Sequence, residues 1–303
     1  MLLFGAHDLD DSYETDRFVK SPSEIIMHDG WNPFNQRFTH DIAILVLEKE
    51  IQFSDYIRPI CLMSEDLGIT DGVVAAWGKD DKSERRHENL PKKLEIPIVS
   101  DGDCYRENKE LAGIAWPESF CAGRRGVGVC SGDSGGGFLV KSNDKFYFKG
   151  IVSSGSAPRR NSLCFNENFA IYTDVVKYSK FIGVAKPKQS CGVMSDESSL
   201  VVGGKLSTRQ QFPWLVSIFY KYHSGIFKHE GSGSLISNRH VVSEANSVAY
   251  SDNQKYYQPV SLDRVKLFLG TTKFKSNEEP GAIETGVNKI STHPGAQYSL
   301  PII

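Results

Sequence analysis

Hydrophobic positions along this chain fall in short clusters and not in long stripes. Ile42-Ala-Ile-Leu-Val-Leu47, Val73-Val-Ala-Ala-Trp77 and Phe146-Tyr-Phe-Lys-Gly-Ile-Val152 are aliphatic or aromatic runs, and clusters of Gly, Pro, Asn and Asp separate them. Runs of that length, bounded by turn residues, predict short strands of an antiparallel sandwich or barrel. One helix is predicted after Thr173, which has the chemistry of an N-cap, with Val175, Tyr178 and Ile182 at helical spacing. Its position is that of a helix closing a domain.

Beyond it the pattern changes. The stretch from Lys186 to Leu200 is polar and lacks periodicity, as a linker does. The expected organisation is therefore a domain over 1–185, a linker over 186–200 and a second domain over 201–303. A distant echo supports duplication of whole domains: Leu3-Phe4-Gly5 and then Met27-His28-Asp29-Gly30 are matched by Phe268-Leu269-Gly270 and then Thr292-His293-Pro294-Gly295.

The 303 residues are enough to bury a substantial core. A net charge of −2 with mixed signs argues against nucleic acid or an anionic membrane as partner, and Arg85-Arg86 and Arg124-Arg125 read as solvated loop charges. No apolar run is long enough for a membrane span, and Met1-Leu-Leu-Phe is too short for a signal-peptide core, so no export signal is read in the chain as given. The six cysteines contain no Cys-x-x-Cys pair, which points to disulfides and an extracellular protein and not to a metal site. No cofactor or metal is expected.

The sharpest chemical signal is Cys130-Ser-Gly-Asp-Ser-Gly-Gly-Gly137. A serine hydroxyl needs a base, an orienter for that base and amide donors for the oxyanion. Glycines on both sides let the chain bend so that the N–H groups of Gly132 and Ser134 can lie side by side. Gly132-x-Ser134-x-Gly136 also satisfies the nucleophile elbow of α/β-hydrolases, but that motif opens a helix, and three glycines before Phe138-Leu-Val140 favour a strand.

With its preceding cysteine and following strand, the segment resembles the trypsin and chymotrypsin family. The resemblance implies an all-β fold, a double antiparallel β-barrel with a C-terminal helix plus a partial second copy, and a serine endopeptidase activity on protein or peptide substrates. Ser134 becomes the nucleophile, with Gly132 and Ser134 forming the oxyanion hole. Asp41 in Thr39-His-Asp-Ile-Ala-Ile-Leu45 becomes the orienting carboxylate, so that His40 is its neighbour and not the base. Ser153 matches the serine bonded to that aspartate. Asp133 matches the carboxylate that receives the new amino terminus on zymogen activation, and Leu200-Val201 resembles the activation bond without the usual basic residue. The resemblance pairs Cys104 with Cys121 and Cys130 with Cys164, and marks Cys61 as a tether to an activation segment. The bridge expected between Gly72 and Val140 is lost at both ends.

In trypsin an aspartate two residues before the bracing cysteine selects Arg or Lys. Gly128 stands there, and Gly155 and Ala170 align with the pocket walls. An apolar P1 preference is expected.

The resemblance breaks where the histidine belongs. No histidine before Asp41 has the family context: His28 lies in the loop matching His293, and His7 in a polar turn. Val201-Val-Gly-Gly204, Phe212-Pro-Trp214 and the run from Gly233 to Val242 resemble the family's first strands, but Val242-Ser-Glu-Ala-Asn-Ser-Val248 places Asn246 at the histidine position. An amide is no general base. The adjacent cysteine position is Ser247 and its partner position is Gly231. His240 is off register. Two readings remain open. Either the chain is a piece of a longer tandem protease, or its later strands fill the barrel that residues 1–60 leave incomplete, in which case Cys61 pairs with Cys191. The alternative function is a non-catalytic protease homologue that binds inhibitors or other proteases of an extracellular cascade.

Overall fold

The computed structural model describes residues 2–32, 39–79, 90–155, 164, 169–183, 191–194, 205–208, 210–221, 227–251 and 257–259. In chain order the strands are β1 (Leu2–Phe4), β2 (Phe18–Lys20), β3 (Pro22–Met27), β4 (Ala43–Leu47), β5 (Cys61–Leu62), β6 (Asp71–Ala76), β7 (Lys92–Val99), β8 (Ser119–Ala122), β9 (Gly137–Ser142), β10 (Lys145–Gly155) and β11 (Ala170–Asp174). They continue with β12 (Lys205–Leu206), β13 (Leu215–Lys221), β14 (Phe227–Leu235), β15 (His240–Ser243), β16 (Ala249–Ser251) and β17 (Tyr257–Pro259).

Two curled sheets result. One closes on itself in the order β6-β7-β8-β11-β10-β9, because β11 pairs with β10 as well as with β8. The other runs β2-β1-β13-β14-β15-β4-β3. This is a double β-barrel of the chymotrypsin type with two short helices, α1 (Asp101–Glu107) and α2 (Lys109–Ile114), between β7 and β8 and another, α3 (Ser179–Ile182), after β11. The second sheet draws strands from both sides of the linker: Leu2 faces Ile218 and Leu45 faces Val241. A single sheet and a single apolar core thus draw on residues both before 186 and after 200. Leu2, Phe4, Leu45 and Leu47 share that core with Trp214, Val216, Leu235 and Val242.

Local chemistry explains the joints. β9 and β10 are linked by Asn143 and Asp144, both with positive φ (47° and 59°), which is the two-residue hairpin turn whose twist matches the strands. Strand β10 carries two irregularities in register, between Phe148 and Gly150 and between Val152 and Ser154. A bulge re-aims the side chain of its extra residue. Lys149, at the first, turns into the interior to meet Asp174 and Asp66, with Nζ 3.0 and 2.8 Å from their carboxylates. Ser153, at the second, turns toward Asp41.

The expected N-cap differs by one residue. Asp174 accepts from Val176 N–H and opens a 3₁₀ turn over Val175–Tyr178 that runs into α3. Thr173 does not cap because its hydroxyl donates to the carbonyl of Asp41 at 2.9 Å. Three disulfides join Cys61 to Cys191, Cys104 to Cys121 and Cys130 to Cys164. The first ties the stretch before β6 to the chain beyond α3.

Candidate active site

The site forms where the two sheets meet. Asp41 precedes β4 and is 1% exposed. Its Oδ2 accepts from the Ser153 hydroxyl at 2.6 Å and its Oδ1 from the main-chain N–H of Asn246 at 3.0 Å. These bonds favour the carboxylate, but burial outweighs them and moves the Asp41 carboxyl above its ordinary range. Its neighbour His40 turns the other way at φ 56°, stacks on His28 with centroids 4.5 Å apart, and meets the Tyr178 hydroxyl at 3.0 Å through Nδ1.

Ser134 sits at the tip of a tight turn. Asp133 N–H donates to Cys130 O, Gly136 N–H to Asp133 O and Gly135 N–H to Val152 O, at 2.9–3.0 Å. Gly132 and Gly135 have φ of 95° and 75°, and a Cβ on Gly135 would collide with Ser232 O and Ser243 Oγ. Only glycine fits there. The carbonyl of Ser134 accepts from Ser232 N–H at 2.7 Å, which fastens the turn to β14. Among the described residues, neither Gly132 nor Ser134 donates its own N–H to a backbone acceptor. Two donors beside a hydroxyl can steady a developing oxyanion.

Asp133 is buried beneath this turn and accepts from Gly78 N–H at 2.8 Å and Cys130 N–H at 2.7 Å. Burial pushes its carboxyl up to about 6. Because the folded value lies above the unfolded one, the folded state holds this proton more tightly. The associated stability is present below about pH 4 and declines as pH rises through about 6. The Asp133→Asn variant is expected to lose less stability than the parent between pH 4 and pH 7, measured as urea midpoints at each pH. Leu200 and Val201, assigned to the activation step, lie outside the described residues.

Gly155 pairs with Ala170 across β10 and β11, and Gly128 lies two residues before Cys130, which is bridged to Cys164. None of Gly128, Gly155 and Ala170 carries a charged side chain. Asn246 is exposed and its main-chain N–H donates to Asp41. Ser134, Asp41, Ser153, Gly132 and Asn246 therefore gather in one place, while His40 and His28 belong to the aromatic cluster around Tyr178 and Phe181.

One residue of the site escaped the sequence reading. Glu244, two positions before Asn246, is 1% exposed. Its Oε1 accepts from the Ser247 hydroxyl at 2.5 Å. Asp41 and Ser134 flank the carboxyl within side-chain reach, although Oε2 makes no hydrogen bond of full geometry among the described residues. Burial, and then the neighbouring Asp41, push the Glu244 carboxyl well above its usual range. The available signal was an acidic residue at the end of an otherwise apolar strand, coinciding with loss of the cysteine pair at 231 and 247.

Comparison with known proteins agrees with this geometry. A family model described as Trypsin matches residues 1–182, and the chain belongs to that family. It is 26% identical to Serine protease gd of Drosophila melanogaster, an alignment covering 60% of this chain and 41% of that protein. It is 29% identical to Coagulation factor IX of Cavia porcellus, covering 57% and 60%, and 30% identical to Phenoloxidase-activating factor 1 of Holotrichia diomphalia, covering 52% and 43%. The chain thus spans roughly two to three fifths of the length of these relatives.

Proposed function

We propose that this protein is an extracellular trypsin-fold component of a protease cascade that holds a polypeptide in its cleft without histidine-assisted cleavage. The observation that carries this reading is the environment of Asp41, whose two oxygens are taken by Ser153 and by the main chain of Asn246, so that the histidine position holds an exposed amide. An amide cannot shuttle the proton between serine and leaving amine, and loss of one triad member drops peptide turnover about 10⁴-fold or more. The three disulfides support an oxidising compartment. No helix among the described residues is long and apolar enough to cross a membrane. Relatives named as a coagulation factor and a phenoloxidase-activating factor support a cascade setting.

The ligand is an extended segment of a protease, an inhibitor or another protein, with an apolar side chain at the surface of Gly128, Gly155 and Ala170. A peptide series varied at that one position tests it. Phe and Leu peptides are expected to bind at least about tenfold more tightly than their Arg counterpart, by calorimetry, because an apolar slot offers a guanidinium no counter-charge. No cleavage products are expected at pH 8. Turnover at ordinary peptidase rates would overturn the non-catalytic part, and Arg preference the pocket assignment.

A second reading is favoured by one observation, that Ser134 and Asp41 are both retained in one cleft. On it the chain descends with little change from an apolar-specific endopeptidase, and Asn246→His is the change that would bring turnover back.

A further inference from the structure

A carboxyl group stands beside the nucleophile that has lost its imidazole, and the packing that puts it there is specific. A Cβ built on Gly231 would lie 2.6 Å from Ser247 Oγ and 2.7 Å from the carbonyl oxygen of Ser134. The Ser247–Glu244 pair and the Ser134 turn therefore border the same small space. Gly135, next to the nucleophile, packs against Ser243 Oγ, next to Glu244. In the sequence, a cysteine pair is missing at positions 231 and 247. Glycine and serine in its place leave room for the Glu244 side chain, and Ser247 supplies the hydroxyl that holds one of its oxygens. The other oxygen is buried and lacks a hydrogen bond of full geometry, and Ser134 and Asp41 both lie within reach of the carboxyl.

We infer that Ser134, Glu244 and Asp41 form a proton-transfer chain that activates Ser134 for acylation by esters with good leaving groups. Two carboxyls in contact do not readily both ionise, so the pair keeps one proton and remains a monoanion able to take another. In the step itself the Ser134 Oγ–H bond breaks and its proton passes to Glu244, while the proton the pair already shared is taken up by Asp41, so that the pair ends with one proton on each carboxyl. The Oγ–carbon bond to the acyl group forms, and the bond from acyl carbon to leaving oxygen breaks with both electrons staying on a phenolate. A phenolate leaves without a proton, whereas a peptide nitrogen needs one, which is why this activity survives where peptide turnover does not. It goes beyond the binding role proposed above and leaves that role intact.

The ionisable groups around Glu244 are Asp41, before β4, and Asp133, whose carboxyl points away to Gly78 and Cys130. His229 of β14 lies beside Gly132, and Tyr178 lies near enough to Asp41 to feel its charge. Of these, Asp41 is the one whose charge acts on Glu244, and protonation of this pair sets the acid limb of the rate.

The test uses the full chain and p-nitrophenyl acetate. The expected result is one p-nitrophenolate per chain in a burst, one acetyl on the peptide containing Ser134 by mass spectrometry, and a burst rate that falls as pH is lowered. Glu244→Gln, close to isosteric, is expected to slow the burst at least about tenfold and to flatten its acid limb. Ser134→Ala is expected to give no burst. Acetylation of another residue, no acetylation at any pH, or an unchanged rate and pH profile in Glu244→Gln would each overturn the inference. Should Glu244→Gln not fold, the parent decides alone, because a burst rate independent of pH between 4 and 8 excludes a titrating base. Peptide binding measured on Ser134→Ala reports on the binding role separately, since that variant carries no acyl chemistry.

Discussion

Cut after Gly183, the chain is expected to lose cooperative folding. The reason lies in the sheet order, where β1 rests on β13 and β4 on β15. Without the later strands, Leu2, Leu3, Phe4, Ile44 and Leu45, all at most 3% exposed, lose their cover. Each such side chain is worth about 1.5–3 kcal/mol when buried, so uncovering five costs about as much as the 5–15 kcal/mol that holds a whole domain together. The fragment 1–183 should bind a hydrophobic dye and melt without a sharp transition. Co-refolded under oxidising conditions with a peptide spanning 191–259, it should regain a single transition and a Cys61–Cys191 bridge, detectable by peptide mapping. We propose on this basis that residues on the two sides of the linker act as one folded unit. A cooperative melt of 1–183 alone, at the temperature of the full chain, would show that they do not.

That unit also carries the chemistry. Ser232 N–H holds the carbonyl of Ser134, and Glu244, Asn246 and Ser247 line the space beside it. Residues before 186 and residues after 200 thus meet at one turn, which makes loss of the fold and loss of the site inseparable in the truncated fragment.

The parts of this arrangement that could be read in advance are those fixed by local chemistry. Cys130-Ser-Gly-Asp-Ser-Gly-Gly-Gly137 announces a turn that demands glycine, and the apolar runs announce strands of the right length. Asp41, Ser153 and Ser134 can each be picked out from its sequence context, and the structure puts the Ser153 hydroxyl on Asp41 and both Asp41 and Ser134 beside Glu244. What could not be read depends on where a strand breaks step. Lys149 sits in an apolar run whose alternation gives no hint that a bulge turns the ammonium inward. Thr173 has N-cap chemistry, but a tertiary acceptor, the Asp41 carbonyl, captured its hydroxyl and left the cap to Asp174. Glu244 is not legible from the sequence because the space it fills exists only once Gly231 and Ser247 are packed against each other. Nor does strand periodicity say which strands pair, so the interleaving of 2–47 with 215–243 is visible only in the sheet order.

Replacing Lys149 by Met is expected to destabilise the protein by about 3–5 kcal/mol, the usual cost of leaving a buried carboxylate without its partner. The Lys149 side chain is 5% exposed and that of Asp174 9%, so water cannot take over the lost charge. Asp66, at 56%, is exposed enough that its own share of the pairing is small. In a protein of this size the loss corresponds to a fall in melting temperature of about 10 °C. Adding Asp174→Asn to the Met variant should recover most of it, because the amide carbonyl still caps Val176 while the stranded charge is gone. Lysine also draws the Asp66 carboxyl below its ordinary value. A depressed folded value means stability that is present above the unfolded carboxylate range and lost as pH falls through the folded one. The parent should therefore weaken more than the double variant on acidification below about pH 4. Thermal melts of the three proteins at pH 7 and pH 3 check both points, and a single variant as stable as the parent at pH 7 would show that the triad of Lys149, Asp66 and Asp174 contributes nothing to the fold.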